Sequence, residues 1–124
     1  MKLFTVFEAN ALLPSIIPKL IEIRELYAAL GELRDASRAA ASASHFGGGM
    51  KGGTGYVNTL YRVGKLTTEL GALGIELKDY SRGLIDFPCM RNDRIVYLCW
   101  QIGDADEIEW WHEIDGGFEG RQPL

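Results

Sequence analysis

The stretch GLIDFPCMRNDRIVYLCWQI, residues 83–102, decides the fold of this chain. Apolar side chains alternate on both sides of Asn92–Asp93, a pair that favours a tight turn between two antiparallel strands. We expect Arg91 to lie opposite Arg94 across this turn, and the same register places Phe87 opposite Leu98. One face then carries the apolar side chains expected in the core: Ile85, Phe87, Val96, Leu98, Trp100 and Ile102. The other face is mixed: Leu84, Asp86, Tyr97, Cys99 and Gln101.

A third strand is predicted from EIEWWHE, residues 107–113. Sending Ile108 and Trp110 to the core leaves the glutamates in water, whereas a register shift of one residue would bury three carboxylates. The alternation then places His112 at the end of the core face and Asp86 on the opposite face. We therefore expect these two side chains to point apart, unless a bulge in the strand re-aims the imidazole.

Two helices are predicted before the sheet. Thr5 and Glu8 fit a capping box that starts the first helix, and Pro14 and Pro18 predict a break followed by a fresh helix to about Ser42. The apolar stripe of this helix has helical spacing: Ile16, Leu20, Ile23, Tyr27 and Leu30. The second helix spans about residues 56–73, ends at Gly74 as a left-handed cap, and turns inward Leu60, Val63, Leu66, Leu70 and Leu73.

These elements predict an α+β fold: a long antiparallel helical hairpin packed on a small three-stranded antiparallel sheet in the C-terminal half. The 124 residues fit a single domain, 1–124, with a helical part over about 5–73 and a β part over about 75–124. The helices would span roughly 37 Å and 27 Å, so part of the longer arm lacks a partner within the monomer. We therefore expect a homo-oligomer, with a dimer favoured.

The composition excludes several classes of partner. A net charge of −4 disfavours nucleic-acid binding. The acid-rich segment from Asp104 to Glu119 is expected to form a solvated surface, and the alternative is that it attracts cations or a basic partner. No apolar run approaches the roughly 20 residues that a membrane crossing needs. Residues 1–10 lack the features of a signal peptide, and two cysteines outside a C-x-x-C motif suit a reducing compartment. We expect a cytoplasmic protein without nucleic-acid or membrane partners.

The glycine-rich stretch HFGGGMKGGTG, residues 45–55, is predicted to be a linker. Lys51 is followed by Gly52 rather than by serine or threonine, so the stretch does not fit a phosphate-binding loop. The alternative is that successive backbone N–H groups cradle an anion ahead of the second helix.

Carboxylates and one histidine near the sheet are the candidate metal ligands: His112, Glu113, Asp86 and Asp79. Hard carboxylates with an imidazole suit manganese, iron or zinc. In the alternative reading, His112 packs at a strand end and Arg82 braces the aspartates or holds an anionic ligand. Cys99 lies in an apolar strand, where burial would raise its pKa and keep it inert.

Four stretches carry a resemblance to a known family: FTVFEANALLP, LGIELKDYSRGLIDFP, VYLCWQIGD and WWHEIDGGFEGRQPL. Together they make nearly the whole chain similar to a bacterial family called domain of unknown function 2203. The glycine-rich stretch is not part of the resemblance. The resemblance implies no activity, but it implies that these residues occupy motif positions: Glu8, Asp79, Arg82, Asp86, Trp100, His112, Glu113 and Arg121. On this basis Arg121 joins Arg82 as a predicted ligand-binding residue.

Two functional hypotheses follow. The favoured one is a non-enzymatic, self-associating interaction or structural protein, because the sequence contains no recognisable catalytic constellation and predicts no catalytic residue. The alternative is a metal-binding protein or a metal-dependent, hydrolase-like enzyme that uses His112 and Glu113 with nearby aspartates. No cofactor is predicted apart from the divalent metal of this second hypothesis.

Overall fold

Two helices and a five-stranded sheet make up the computed structural model, which describes residues 1–43 and 53–124. The helices are α1 (Val6–Ala43) and α2 (Gly53–Ala72); the strands are β1 (Glu76–Asp79), β2 (Leu84–Arg91), β3 (Arg94–Trp100), β4 (Trp110–His112) and β5 (Gln122–Pro123). The strands pair antiparallel in chain order, and a 3-10 turn, Phe118–Gly120, precedes β5. The α+β class is confirmed. The prediction of three strands is wrong, because two short edge strands extend the sheet.

The start of α1 is the predicted capping box. The Thr5 N–H donates to the Glu8 carboxylate and the Glu8 N–H donates to the Thr5 hydroxyl, each at 3.0 Å. The predicted break is wrong, because α1 continues through Pro14 and Pro18. Both prolines lie on the exposed side, where water can bind the carbonyls that they leave unpaired. The opposite side is fully buried and runs past them without interruption: Ala9, Leu13, Ile16, Leu20 and Ile23.

The second helix ends where the sequence predicts. Gly74 has a φ of 91°, its N–H donates to the Gly71 carbonyl, and the next N–H donates to the Leu70 carbonyl. These bonds form a Schellman cap, which needs the left-handed conformation. The helices contact each other through the ion pairs Lys19–Glu69 and Glu22–Arg62.

Three apolar residues predicted to lie inside are exposed instead. Leu60 is 51% exposed, Leu73 is 37% exposed and Tyr27 is 44% exposed. Tyr27 instead stacks on Tyr80, with 5.2 Å between the ring centroids. The buried face of α2 is therefore narrower than predicted and consists of Val63, Leu66 and Leu70.

The β2–β3 hairpin has the predicted register. Arg91 pairs with Arg94 and Phe87 pairs with Leu98 across a turn whose two residues, Asn92 and Asp93, have φ values of 50° and 63°. The predicted core residues of the two strands are at most 2% exposed: Ile85, Phe87, Val96, Leu98 and Trp100. The helices cover this face of the sheet, which we call the inner face; the opposite face is the outer face.

The predicted orientation of the third strand, residues 107–113, is wrong. Ile108 and Trp111 both belong to the core, although they are three residues apart. The segment before Trp110 is not a strand, and the Ile108 N–H donates to Asn10 Oδ1 on α1 at 2.6 Å. Strand alternation therefore starts afresh at Trp110, which places Trp110 and His112 on the outer face. The preceding glutamates are exposed, as predicted.

Two further findings concern membrane crossing and the glycine-rich stretch. Neither α1 nor α2, within the ranges that the structure describes, is both long and apolar enough to traverse a membrane. The predicted linker and its alternative, an anion cradle, fall largely on residues 44–52, which lie outside the described residues; residues 53–55 begin α2.

Candidate functional site

Three neighbouring strands each place one potential metal ligand on the outer face of the sheet. Asp86 of β2 pairs directly with Cys99 of β3, and Cys99 pairs with Trp110 of β4, two residues before His112. Since side chains two apart on a strand share a face, all three point to the same side. They are 3%, 1% and 2% exposed respectively. We call Asp86, Cys99 and His112 the outer-face cluster.

Both ring nitrogens of His112 are hydrogen-bonded. Nδ1 lies 2.7 Å from the Glu113 carbonyl oxygen, and Nε2 lies 2.9 Å from Asp86 Oδ1. Because a carbonyl oxygen only accepts, Nδ1 must carry a proton and donate it. Nε2 and the carboxylate then share one proton, as an imidazolium–carboxylate pair or as a neutral imidazole beside a carboxylic acid. Both forms have zero net charge, which suits side chains that are 3% and 4% exposed.

The third member of the cluster is a protonated thiol. The pKa of Cys99 is raised to about 12, mainly by burial and in addition by the nearby charge of Asp86. Burial also raises the pKa of Asp86, while the hydrogen bond from His112 opposes this effect. One ligand atom from each of the three residues lies within 4.8 Å of the other two. The raised pKa of Cys99 agrees with the prediction from its burial, yet the thiol lies beside Asp86 and His112 rather than in an apolar core.

A cavity of about 210 Å³ lies beside the pair, with Asp86 and His112 in its wall. Lys78 and Tyr97 also line it. Lys78 donates to Glu76 at 2.9 Å, and this hydrogen bond raises the pKa of the lysine. Burial raises the pKa of Tyr97, and its hydrogen bond to the same glutamate adds to the effect. Asp86 and His112 thus border a space of this volume, although both are buried.

The two arginines predicted to bind a ligand hold the C-terminal segment against the outer face. The Arg82 guanidinium lies 3.7 Å from the centroid of the Phe118 ring. Arg121 lies 4.9 Å from the same ring and 4.8 Å from the Trp110 ring, and it donates to Asp104 at 2.6 Å. Phe118 also lines the cavity, so these cation–π contacts fix one of its walls.

Two of the four predicted metal ligands are bonded elsewhere. Glu113 accepts two hydrogen bonds from Arg94, which lower the pKa of the glutamate. Asp79 Oδ1 accepts from the Arg82 N–H at 3.0 Å in the turn between β1 and β2. The structure brings together Asp86 and His112, contrary to the expectation that they point apart, because alternation in β4 starts at Trp110. The sequence interpretation missed Cys99, although the predicted register already placed it opposite Asp86.

The fold and the site define a class of protein: a small α+β protein whose antiparallel sheet buries a carboxylate, a thiol and an imidazole beside a cavity. The chain belongs to the family of uncharacterised conserved proteins DUF2203, whose sequence pattern matches residues 2–124. Comparison with curated proteins and with solved structures gave no match. The family agrees with the resemblance of the sequence motifs, and the function must be argued from the site.

Proposed function

We propose that this protein binds a divalent metal ion on the outer face of its sheet, with Asp86 and His112 as ligands. The observation that supports this proposal is the buried contact between the two side chains, 2.9 Å long, in the wall of a cavity. A buried ion pair rarely stabilises a fold more than well-packed apolar residues of the same size. A purely structural role therefore explains the pair poorly, whereas metal binding uses both donor atoms.

The proposed ligand set differs from the set that the sequence suggested. Glu113 and Asp79 are retained as control positions, because their carboxylates already accept hydrogen bonds from Arg94 and from the Arg82 backbone. The ion would take the place of the proton shared by Asp86 and His112. The Nδ1–H of His112 would keep its bond to the carbonyl oxygen, an arrangement usual for metal-bound imidazoles.

Thermal unfolding of chelator-treated protein tests the proposal. Zn²⁺, Mn²⁺ and Mg²⁺ are added separately, and an ion present at 100 times its Kd raises the free energy of unfolding by about 2.7 kcal/mol. We expect Asp86→Asn and His112→Gln to abolish the stabilisation, while Asp79→Asn and Glu113→Gln retain it. Stabilisation by none of the ions, or stabilisation that survives Asp86→Asn, contradicts the proposal.

A second candidate function is self-association through the helices. Three apolar side chains in the N-terminal half of α2 are more than half exposed: Val57 at 61%, Leu60 at 51% and Tyr61 at 72%. Their spacing puts them on one side of the helix. In addition, α1 has 38 residues and α2 has 20, which correspond to lengths of about 57 Å and 30 Å. In a hairpin of two such helices, part of α1 extends beyond α2, and we propose that a second chain covers it.

Light scattering at micromolar concentrations tests this second function. We expect a dimer that Tyr61→Glu converts to a monomer, because a charge at the contact would be buried without a partner. Asn58→Glu changes an exposed residue on a different side of the same helix and should leave the dimer intact. A strictly monomeric wild-type protein contradicts the idea, and this result has no bearing on metal binding.

A further inference from the structure

We infer that Cys99 is the third ligand of the proposed ion and that the site selects zinc or a similar ion over magnesium, calcium and manganese. This inference rests on the metal-binding function proposed above. It adds a residue outside the predicted ligand set and names the chemical class of ion. Thiolate ligands favour zinc and cobalt, whereas oxygen ligands alone favour the harder cations.

The strand register is the first argument for Cys99. Asp86 and Cys99 are direct partners across β2 and β3, and His112 belongs to the next strand on the same face. Three adjacent strands therefore supply one oxygen, one sulfur and one nitrogen donor. The other cysteine, Cys89, belongs to the inner-face core and provides a natural contrast.

The distances fit a tetrahedral ion after a small adjustment. One donor atom from each residue lies within 4.8 Å of the others, and Asp86 Oδ1 lies 2.9 Å from His112 Nε2. With bonds of about 2.0–2.3 Å, ligand atoms around tetrahedral zinc lie roughly 3.3–3.8 Å apart. The donor atoms of Asp86 and His112 would therefore separate by less than about 1 Å, and the Cys99 sulfur, within 4.8 Å of both, would approach them by at most about 1.5 Å.

The protons of the cluster balance the charge of a divalent ion. Without the ion, one proton is shared by Asp86 and His112 and a second is bound to the Cys99 sulfur, so the cluster is neutral. Binding forms bonds from the ion to the carboxylate oxygen, the thiolate sulfur and Nε2, and it releases both protons to solvent. The ion's two positive charges are then matched by one carboxylate and one thiolate. The buried site is thus neutral in both states, which avoids the cost of burying a net charge.

The positions of the thiol and of the cavity agree with this role. Cys99 is 1% exposed, so its sulfur lies inside the site and not in solvent. The cavity borders two of the three proposed ligands, Asp86 and His112. Three protein ligands with one open position are typical of zinc sites that bind water or a small molecule.

Cobalt titration of the chelator-treated full chain tests the inference. Co²⁺ bound by a thiolate gives a charge-transfer band in the near ultraviolet, which oxygen and nitrogen ligands do not give. We expect this band in the wild-type protein and in Cys89→Ser, its loss in Cys99→Ser, and displacement of the cobalt by Zn²⁺. In weakly buffered solution at pH 7, the wild-type protein should release two protons for each ion bound, and Cys99→Ser should release one.

The possible results separate this inference from the function on which it rests. Cobalt binding without the thiolate band, with equal affinity in Cys99→Ser, refutes the role of Cys99 and leaves metal binding by Asp86 and His112 intact. No cobalt binding by the wild-type protein refutes both. The band and the proton count of the wild-type protein need no variant, so a folding defect in Cys99→Ser does not prevent a decision.

Discussion

The contact between Asp86 and His112 makes a strong prediction about stability. Their side chains are 4% and 3% exposed, respectively, so removing either partner leaves a buried polar group without its hydrogen bond. For a buried pair of this kind, the loss is about 3–5 kcal/mol. At about 2.1 cal/mol/K per residue, the unfolding entropy of a 124-residue chain is roughly 0.26 kcal/mol/K. Dividing the free-energy loss by this entropy predicts that Asp86→Ala lowers Tm by roughly 12–19 °C.

A double-mutant cycle in urea measures the contact itself. Asp86→Ala, His112→Ala and the double variant are compared in the presence of a chelator, so that bound metal does not contribute. Because the double variant leaves neither partner unpaired, we expect the losses to be non-additive by at least about 2 kcal/mol. The exposed pair Arg94–Glu113, 51% and 41% exposed, is the matched control and should give a coupling below about 1 kcal/mol. A coupling for Asp86 and His112 no larger than that of the control would refute the buried contact.

Three further changes have defined outcomes. Arg62 lowers the pKa of Glu22 through two hydrogen bonds. The Glu22 carboxylate therefore stabilises the fold at pH values above its unfolded pKa, which is about 4.3. This stabilisation is lost as the pH falls through the lower pKa of the folded state. Urea midpoints of Glu22→Gln should therefore fall less steeply on acidification than those of the wild type. Asn10→Ala deprives the Ile108 N–H of its acceptor and should cost about 1–3 kcal/mol, with faster hydrogen exchange at that amide. Gly74→Ala introduces a Cβ at a φ of 91°, 2.7 Å from a neighbouring side-chain carbon, and should cost at least about 1–2 kcal/mol in chemical denaturation.

Each of these changes has a control. Arg62→Gln should reproduce the pH dependence of Glu22→Gln, and a difference between them argues against this ion pair as the cause. Asn10→Asp keeps the accepting oxygen and should protect the amide better than alanine does. Gly64→Ala adds a Cβ that meets nothing within 4 Å inside α2, so it should stabilise the protein by up to about 1 kcal/mol. Equal losses at Gly64 and Gly74 would contradict the assigned cap.

The β2–β3 hairpin could be predicted because everything that determines it is local. Asn92–Asp93 supplies the turn, and the alternation on either side sets the register that the structure has. The same register places Asp86 opposite Cys99. The position of Cys99 was therefore available from the sequence, and only the assumption that a buried thiol is inert removed it from the candidate ligands.

The orientation of β4 could not be predicted from alternation alone. Ile108 is positioned by Asn10, a residue at the other end of the chain, and not by membership of the strand. Trp110 is acceptable on the outer face because the Arg121 guanidinium covers its ring at 4.8 Å. Both contacts are tertiary, and together they allow Trp111 to enter the core in its place. A change of one residue in phase is enough to move His112 from the inner face to the outer face.

The prolines and the edge strands show the same limit. Pro14 and Pro18 each remove a helical donor, but the buried side of α1 packs on the sheet without interruption, and this packing outweighs the local preference for a break. The strand β5 has two residues and includes Pro123, so it has no alternation to detect. Its pairing with β4 depends on contacts made by the folded C-terminal segment.

X-ray absorption at the zinc edge of zinc-loaded protein tests the central claim most directly, because it reports the atoms bound to the ion. Our account predicts one sulfur at about 2.3 Å and nitrogen or oxygen ligands at about 2.0–2.2 Å, with the sulfur absent from Cys99→Ser. A coordination shell of oxygen and nitrogen alone in the wild-type protein, or failure of the protein to retain zinc, contradicts a centre built from Asp86, Cys99 and His112.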